Sequence, residues 1–234
     1  MVFILSLIHI SEPTRRSWIA YAVFCLKKVP RHSLANAYEL FDNKESIDID
    51  IVIGNEIDAG VSAKNLVETR KDSIAFIGAE YSDVVGAKAS VAVSNLVTWR
   101  KEGNANFNSM FVVACGNYKY QYDRYNDKNR WINIAGDIAG LRAATSSNRA
   151  SWFASAGLER GQIKNVKKLA FNPSQAQRDV LYKNSVNPIC TFPGQGTVMW
   201  GQKTLLSKPC LLYTSDAADD SLRVDLGGRR IIKK

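Results

Sequence analysis

The feature of the sequence that most constrains its fold is an alternation of short apolar runs with segments of helical length between residues 46 and 116. The first run alternates Ile with Asp and then becomes continuously apolar, as a strand that enters a buried sheet does. The predicted strands are SIDIDIVIG (46–54), SIAFIGA (73–79) and SMFVVACG (109–116), and the predicted helices are VSAKNLVETRK (61–71) and ASVAVSNLVTWRK (89–101). Strands and helices that alternate at this spacing predict βαβ units and a mainly parallel sheet.

The next part of the chain has a different pattern, in which aromatic and polar residues alternate. The stretch YKYQYDRYNDKNRWINIA (118–135) places Tyr118, Tyr120 and Tyr122 on one side of a strand, with a polar turn near residues 126–127. This combination is typical of an antiparallel hairpin.

Further helices and strands are predicted on both sides of this region. Ser33 and Ser174 are typical N-cap residues, and each opens a predicted helix. These remaining elements are the helices SLANAYELFDN (33–43), GDIAGLRAATSS (136–147) and SQAQRDVLYKN (174–184), and the strands VKKLAF (166–171), PICTF (188–192) and TVMW (197–200). The predicted fold is therefore α/β, with a mixed, mainly parallel sheet, flanking helices and an antiparallel hairpin, followed by the start of a C-terminal α/β module.

The two ends of the chain match translations of one DNA string. CTGTCTCTTATACACATCT encodes LSLIHI (5–10) from its first base and CLLYTS (210–215) from its second. The string resembles a transposon end used to prepare sequencing libraries, so we expect residues 1–28 and 210–234 to be non-native, adaptor-derived segments. The match leaves residues 1–4 unassigned. The alternative, a signal-like apolar N-terminus, lacks a small-residue cleavage site.

Excluding these ends changes what the composition implies. They hold nine basic and five acidic residues, so the net charge falls from +9 to +5 for residues 29–209. That segment keeps two cysteines, Cys115 and Cys190, which form no disulfide framework and suggest a reducing compartment. No apolar run approaches the roughly 18 to 20 residues of a membrane span, so membrane insertion is not expected.

One stretch, GQGTVMWGQKT (194–204), nearly matches the sequence motif of a phosphate-binding loop. The loop requires Gly, four residues and then Gly-Lys-Ser/Thr, but Gln202 separates Gly201 from Lys203. The intervening TVMW is bulky and β-branched, which favours a strand over a tight phosphate cradle. The stretch therefore predicts a turn and strand, and an α/β nucleotide-binding enzyme is kept as an alternative.

Two other groups of residues allow a binding or a structural interpretation. Asp48 and Asp50, with Glu56 and Asp58 nearby, could hold a cation, but a solvated strand edge is the preferred interpretation. The Tyr-, Arg- and Trp-rich residues 118–131 could bind single-stranded nucleic acid, but a tyrosine stripe of period two favours a packed sheet face. Nucleic acid is accordingly not an expected partner.

The sequence supplies no catalytic constellation. His32 is the one histidine outside the expected adaptor segments, and no motif pairs it with a nucleophile. Cys115 and Cys190 lie in or at the end of apolar strands, where a cysteine is typically a small buried residue. We therefore expect no enzyme activity, no catalytic residue, no cofactor and no metal site.

Three segments closely resemble the tail sheath proteins of contractile-tailed phages. They are AYELFDNKESIDIDIVIGN (37–55), YKYQYDRYNDKNRWINIAGDIAGL (118–141) and SAGLERGQIKNVKKLAFNPSQAQRDVLYKNSVNPICTFPGQGTVMWGQKTLLSKP (155–209). The resemblance implies a structural subunit that stacks in hexameric rings around a tail tube and contracts to drive the tube through the host envelope. The implied partners are neighbouring sheath subunits, the tube protein and the baseplate, in a virion tail assembled in the host cytoplasm. It further implies a sheath domain at 29–150 and a partial C-terminal sheath domain at 151–209.

The sequence also departs from the family. Sheath proteins continue beyond the position of Pro209 and carry an N-terminal arm and outer domains that this chain does not match. We therefore expect the chain alone not to assemble into sheath. A subunit of a related contractile injection system is the nearest alternative of the same kind.

Overall fold

The computed structural model describes residues 36–54, 56–150 and 152–206, with the side chains of 56–59 excepted. The strands are β1 Ile51–Gly54, β2 Ile74–Gly78, β3 Val112–Cys115, β4 Tyr118–Asp123, β5 Lys128–Asn133, β6 Gln162–Ile163, β7 Lys168–Leu169, β8 Val186–Asn187, β9 Ile189–Phe192 and β10 Gly196–Met199. The helices are α1 Glu56–Arg70, α2 Tyr81–Val84, α3 Ala89–Lys101, α4 Ala135–Asn148, α5 Gly157–Arg160 and α6 Gln175–Lys183. Residues 36–39 are also helical.

The centre of the molecule is a four-stranded sheet in the order β1-β2-β3-β8. All three neighbouring pairs in it are parallel. The strands β1, β2 and β3 are the ones that the strand–helix alternation predicts, and their parallel pairing confirms the predicted fold class. The fourth strand, β8, lies in a stretch that the sequence did not mark as a strand.

Helices cover both faces of this sheet because successive strand residues point in opposite directions. Ile77 faces a core that includes Leu66 of α1 and Leu96 of α3. Its neighbour Phe76 faces the opposite core, which includes Ile138 of α4. Burial of each such side chain contributes about 1.5–3 kcal/mol, so these two layers hold the helices on the sheet.

A second sheet, in the order β5-β4-β7, forms the predicted hairpin and is antiparallel throughout. The turn between β4 and β5 spans residues 124–127, and Asp127 there adopts a φ of 50°, which aspartate tolerates. The base of the hairpin is held at the carboxyl edge of the parallel sheet, where Tyr118 Oη donates a hydrogen bond to Ala79 O (2.7 Å).

A third sheet, in the order β6-β10-β9, is also antiparallel. The backbone of its edge strand β9 is hydrogen-bonded by the side chain of Asn172. Thr191 N donates to Asn172 Oδ1 (2.9 Å), and Asn172 Nδ2 donates to Thr191 O (3.1 Å). The adjacent helix α6 begins at Ser174 with a reciprocal capping box to Gln177, which confirms the predicted cap.

One predicted strand was wrong at its beginning. Residues 46–50 were expected to form the first half of a strand, but β1 starts only at Ile51. The carbonyl of Ile47 accepts a hydrogen bond from the buried Arg70 guanidinium (2.8 Å), so the backbone at Ile47 is held by a side chain rather than by a ladder. The alternation of Ile and Asp there reflects one buried residue, Ile49, between exposed carboxylates.

Other expectations remain predictions. Ser33 and the two expected adaptor-derived segments lie outside the described residues. The division into two domains at residue 150 also stays a prediction. Strands β7 and β8, which follow residue 150, pair with β4 and β3, which precede it. Within the described part of the chain, no helix combines the length and the apolar character that a membrane crossing requires.

Candidate functional site

The stretch that resembles a phosphate-binding loop is a hairpin between β9 and β10. Gly194 and Gly196 have φ values of 77° and 81°, a region that favours glycine. The pair Gly196–Phe192 closes the ladder, and Gln195 N donates to Phe192 O (3.2 Å). The prediction of a turn and strand is therefore confirmed, and the backbone does not open into a helix as a phosphate cradle does.

Lys203, which follows this hairpin, has its backbone and side-chain polar groups bound to the protein itself. Asn187 Oδ1 accepts from Lys203 N (2.7 Å), and Asn187 Nδ2 donates to Lys203 O (2.8 Å). The Lys203 ammonium donates to Tyr182 O (3.1 Å) and lies 3.8 Å from the centre of the Tyr182 ring. Burial lowers the pKa of Lys203 from its ordinary value. These contacts give Lys203 a structural role within the fold.

One face of the hairpin sheet carries aromatic rings whose faces are covered by lysines. The rings of Tyr120 and Trp131 lie 4.9 Å apart. Lys168 Nζ lies 5.0 Å from the centre of the first ring and 5.3 Å from that of the second. Lys167 Nζ lies 5.2 Å from the Tyr122 ring. Because bases stack on open ring faces, this arrangement favours the packed sheet face over a platform for single-stranded nucleic acid.

The other face of the hairpin joins it to α4 by a largely buried ion pair. Lys119 Nζ and Asp137 Oδ1 are 2.7 Å apart, and their side chains are 5% and 27% exposed. Burial raises the pKa of Asp137, and Lys119 opposes that rise. Because desolvation of the two charges offsets much of their attraction, a buried pair of this kind links the hairpin to α4 without adding much stability.

The four carboxylates that suggested a cation site are not brought together. Asp48 and Asp50 lie on the exposed segment before β1 and do not share a strand face, while the side chains of Glu56 and Asp58 lie outside the described residues. No cluster of three metal-ligating side chains is found among the residues described. Burial raises the pKa of Asp50, with further contributions from Asp48 and Asp72.

This crowding predicts that Asp48→Asn will lower the pKa of Asp50 toward its ordinary value. In the folded chain Asp50 binds its proton more tightly than an unfolded carboxyl does, so stability rises as the pH falls through its folded pKa. Removal of the neighbouring charge makes that gain smaller. An NMR titration of the Asp50 carboxyl measures the change, with Glu39→Gln as the matched control on the same segment. An unchanged Asp50 titration in Asp48→Asn contradicts the expectation.

The two described cysteines are buried. Cys115 and Cys190 are both free thiols, and burial raises the pKa of each, that of Cys190 to about 11. A thiol is nucleophilic as its thiolate, so neither has the character of a catalytic cysteine. His32 lies outside the described residues.

The structure singles out three buried asparagines that sequence reasoning missed. Asn117 Nδ2 donates to Phe171 O (2.9 Å), Asn133 Nδ2 donates to Ala79 O (3.2 Å), and Asn187 binds the backbone at residue 203. Asn117 comes shortly after the apolar strand β3, and that position was the available signal for it. Asn133 ends β5, which is mostly polar, and Asn187 ends β8, which was not predicted, so the sequence carried no such signal for these two. All three join segments distant in the sequence, so they act as structural connectors.

Comparisons with known proteins agree on one family. Residues 51–205 match the family model described as the phage tail sheath protein central domain. The tail sheath protein of Enterobacteria phage T4 is 39% identical over 197 residues, which cover 78% of this chain and 30% of the relative. The tail sheath protein of Vibrio phage KVP40 is 39% identical over 173 residues, 66% of this chain and 26% of the relative. The chain thus spans less than a third of the length of these relatives.

A solved structure shows the same fold. The helical sheath of the anti-feeding prophage in its contracted state superposes with a TM-score of 0.57 at 15% identity, covering 89% of this chain and 54% of that one. A chain of the anti-feeding prophage baseplate structure gives a TM-score of 0.54 at 14% identity, with 89% and 53% covered.

Proposed function

Because this chain belongs to the phage tail sheath protein central domain family, we propose that it is the central part of a structural subunit of a contractile phage tail sheath. The observation that carries the proposal is the family match over residues 51–205, supported by 39% identity to the sheath protein of Enterobacteria phage T4. The phage relatives are more similar to this chain than the anti-feeding prophage proteins, which supports a phage tail over a related injection system.

The proposed activity is mechanical. Subunits stack in hexameric rings around the tail tube in an extended, metastable state. A trigger at the baseplate releases them into a shorter and wider packing, which drives the tube through the host envelope. Such a machine needs an interface with two discrete packings that is biased by its neighbours. A well-packed domain suits this role, and the central sheet has a helical layer packed on each face.

The proposed partners are neighbouring sheath subunits, the tail tube and the baseplate, with neither nucleic acid nor membrane among them. The proposed location is the virion tail, after assembly in the host cytoplasm.

The decisive experiment is immunogold electron microscopy with antibodies against this chain. Particles of a phage that carries the sequence should be labelled along the whole tail shaft, and after contraction the label should follow the shortened sheath and leave the exposed tube bare. Labelling of the tube, or of the baseplate alone, contradicts the proposal.

We also propose that the subunit is not an enzyme. The near-motif at Gly201 and Lys203 is the one feature that suggested nucleotide chemistry, and its polar groups are bound to Asn187 and Tyr182. Equilibrium dialysis with ATP should show no binding. ATP binding that is lost in Lys203→Ala would revive the alternative of a nucleotide-binding enzyme.

A further inference from the structure

The segment that leads into β1 forms an acidic surface at the amino edge of the parallel sheet. We call residues 39–50 the acidic segment, since they carry five carboxylates against one lysine. All of these side chains are exposed: Glu39, Asp42, Lys44, Glu45, Asp48 and Asp50. Asp50 precedes β1 directly, and its carbonyl accepts from Ile74 N at the start of β2 (3.0 Å), which places the segment at the edge where these strands begin.

The hairpin sheet forms a basic surface at the opposite edge. Five exposed basic side chains stand there against two carboxylates, those of Asp123 and Asp127. Arg124 lies in the turn, and the others lie on the strands or beside them, on the two faces of the hairpin: Lys128, Arg130, Lys167 and Lys168. Strand β4 begins just after β3 ends, and its Tyr118 is bonded to the loop that follows β2, so the hairpin is attached where the parallel strands end. These two groups of charges therefore lie at opposite ends of the parallel strands.

Both surfaces also carry exposed apolar side chains, which a charged but purely solvated surface does not need. On the acidic segment Leu40 is 75% exposed and Ile47 is 36% exposed. On the hairpin Tyr125 is 89% exposed and Ile132 is 38% exposed. Apolar contacts inside a polar rim are the usual composition of a protein interface, and aromatic residues are enriched in it.

From this complementarity we infer that the acidic segment of one copy of the chain docks on the hairpin sheet of the next copy. The inference rests on the proposed function, in which identical subunits stack. Because the two surfaces are different and lie at opposite edges of the sheet, the contact is head-to-tail. Such a contact leaves one free surface at each end, so association continues beyond a dimer into rings or filaments. That is the type of contact that an extended stack requires.

The experiment uses the full chain and two charge-reversal variants. The hairpin variant, Arg124→Glu with Lys128→Glu, cancels the positive net charge of the hairpin sheet and keeps the acidic segment. The acidic-segment variant, Glu45→Lys with Asp48→Lys, does the opposite. Lys101→Glu with Lys183→Glu reverses two exposed charges elsewhere and is the matched control. Circular dichroism and thermal unfolding establish that each variant is folded, and sedimentation velocity measures association.

At about 20 mM salt, where exposed charges interact over roughly 20–30 Å, the unchanged chain should form a concentration-dependent series of short oligomers beyond the dimer, without the ordered tubes of a sheath. Each variant alone should associate at least about 10-fold more weakly, since opposed charges steer and hold such contacts. The control should stay within about 2-fold of the unchanged chain. An equimolar mixture of the two variants should associate more strongly than either variant alone, because one native pair of surfaces remains between them and the two reversed surfaces are themselves of opposite charge.

Several results overturn the inference. They are an unchanged chain that stays monomeric at high concentration in low salt, a variant that associates as the unchanged chain does, and a mixture that associates no more strongly than either variant alone. Single-stranded DNA that binds the hairpin while the chain stays monomeric would assign the basic surface to nucleic acid instead. None of these results changes the outcome expected in the immunogold experiment, so failure of this contact and failure of the proposed function are distinguishable.

Discussion

Gly78→Ala is expected to destabilise the chain by about 2–4 kcal/mol, the sum of an overpacking cost and an unsatisfied buried amide. Gly78 ends β2, and a methyl group built there overlaps the side-chain amide of Asn133. That amide is buried and cannot simply rotate away, because it donates to Ala79 O (3.2 Å) and accepts from Ala135 N (3.0 Å). Moving it loosens the junction of the hairpin, α4 and the parallel sheet.

Chemical denaturation of Gly78→Ala measures this cost, and Gly136→Ala is the matched control. Gly136 lies inside α4, and a methyl group there meets no atom within 4 Å. The control should therefore be stabilised by up to about 1 kcal/mol, the helix preference of Ala over Gly. The double variant Gly78→Ala with Asn133→Ala should cost less than the two single changes together, since it removes the overlap. A loss for Gly78→Ala no larger than about 0.5 kcal/mol, the scale of an ordinary surface change, contradicts the expectation.

Asn187→Ala is expected to lower the free energy of unfolding by about 2–4 kcal/mol, because it leaves buried backbone groups without hydrogen-bond partners. The side chain is fully buried and makes three hydrogen bonds, to Ala114 O (3.1 Å), Lys203 O (2.8 Å) and from Lys203 N (2.7 Å). The segment it holds carries Leu205, which is completely buried in the core, and Leu205 N donates to Val112 O (2.9 Å). Loss of the amide should release this segment from the sheet.

Hydrogen exchange at the amides of Lys203 and Leu205 reads out that release directly, beside denaturation of the whole chain. Asn184→Ala is the matched control, because it removes the same side chain where a single exposed bond joins Nδ2 to Val180 O (2.8 Å). The control should cost at most about 1 kcal/mol. Equal losses in the two variants, with unchanged exchange at both amides, would show that the asparagine does not hold the segment.

Much of the secondary structure could be predicted because its causes are local. Helix α3 was predicted with the bounds that it has, and the cap at Ser174 follows from its own neighbours. Strands β6 and β8 were missed, since each has two residues and exists only through its partners. The strand expected at residues 46–50 was wrong for the converse reason, because Arg70, which is distant in the sequence, binds that backbone instead.

The sequence by itself determined the βαβ order, the antiparallel hairpin, the failure of the near-phosphate motif and the resemblance to sheath proteins. These follow from periodicity, turn chemistry and motif identity, which depend on residues that are close together in the sequence. Only the tertiary structure decided which asparagines join distant segments, why Gly78 tolerates no side chain, and that acidic and basic surfaces lie at opposite edges of one sheet. Those properties depend on contacts between residues that are far apart in the chain, and such contacts cannot be predicted from a local sequence pattern.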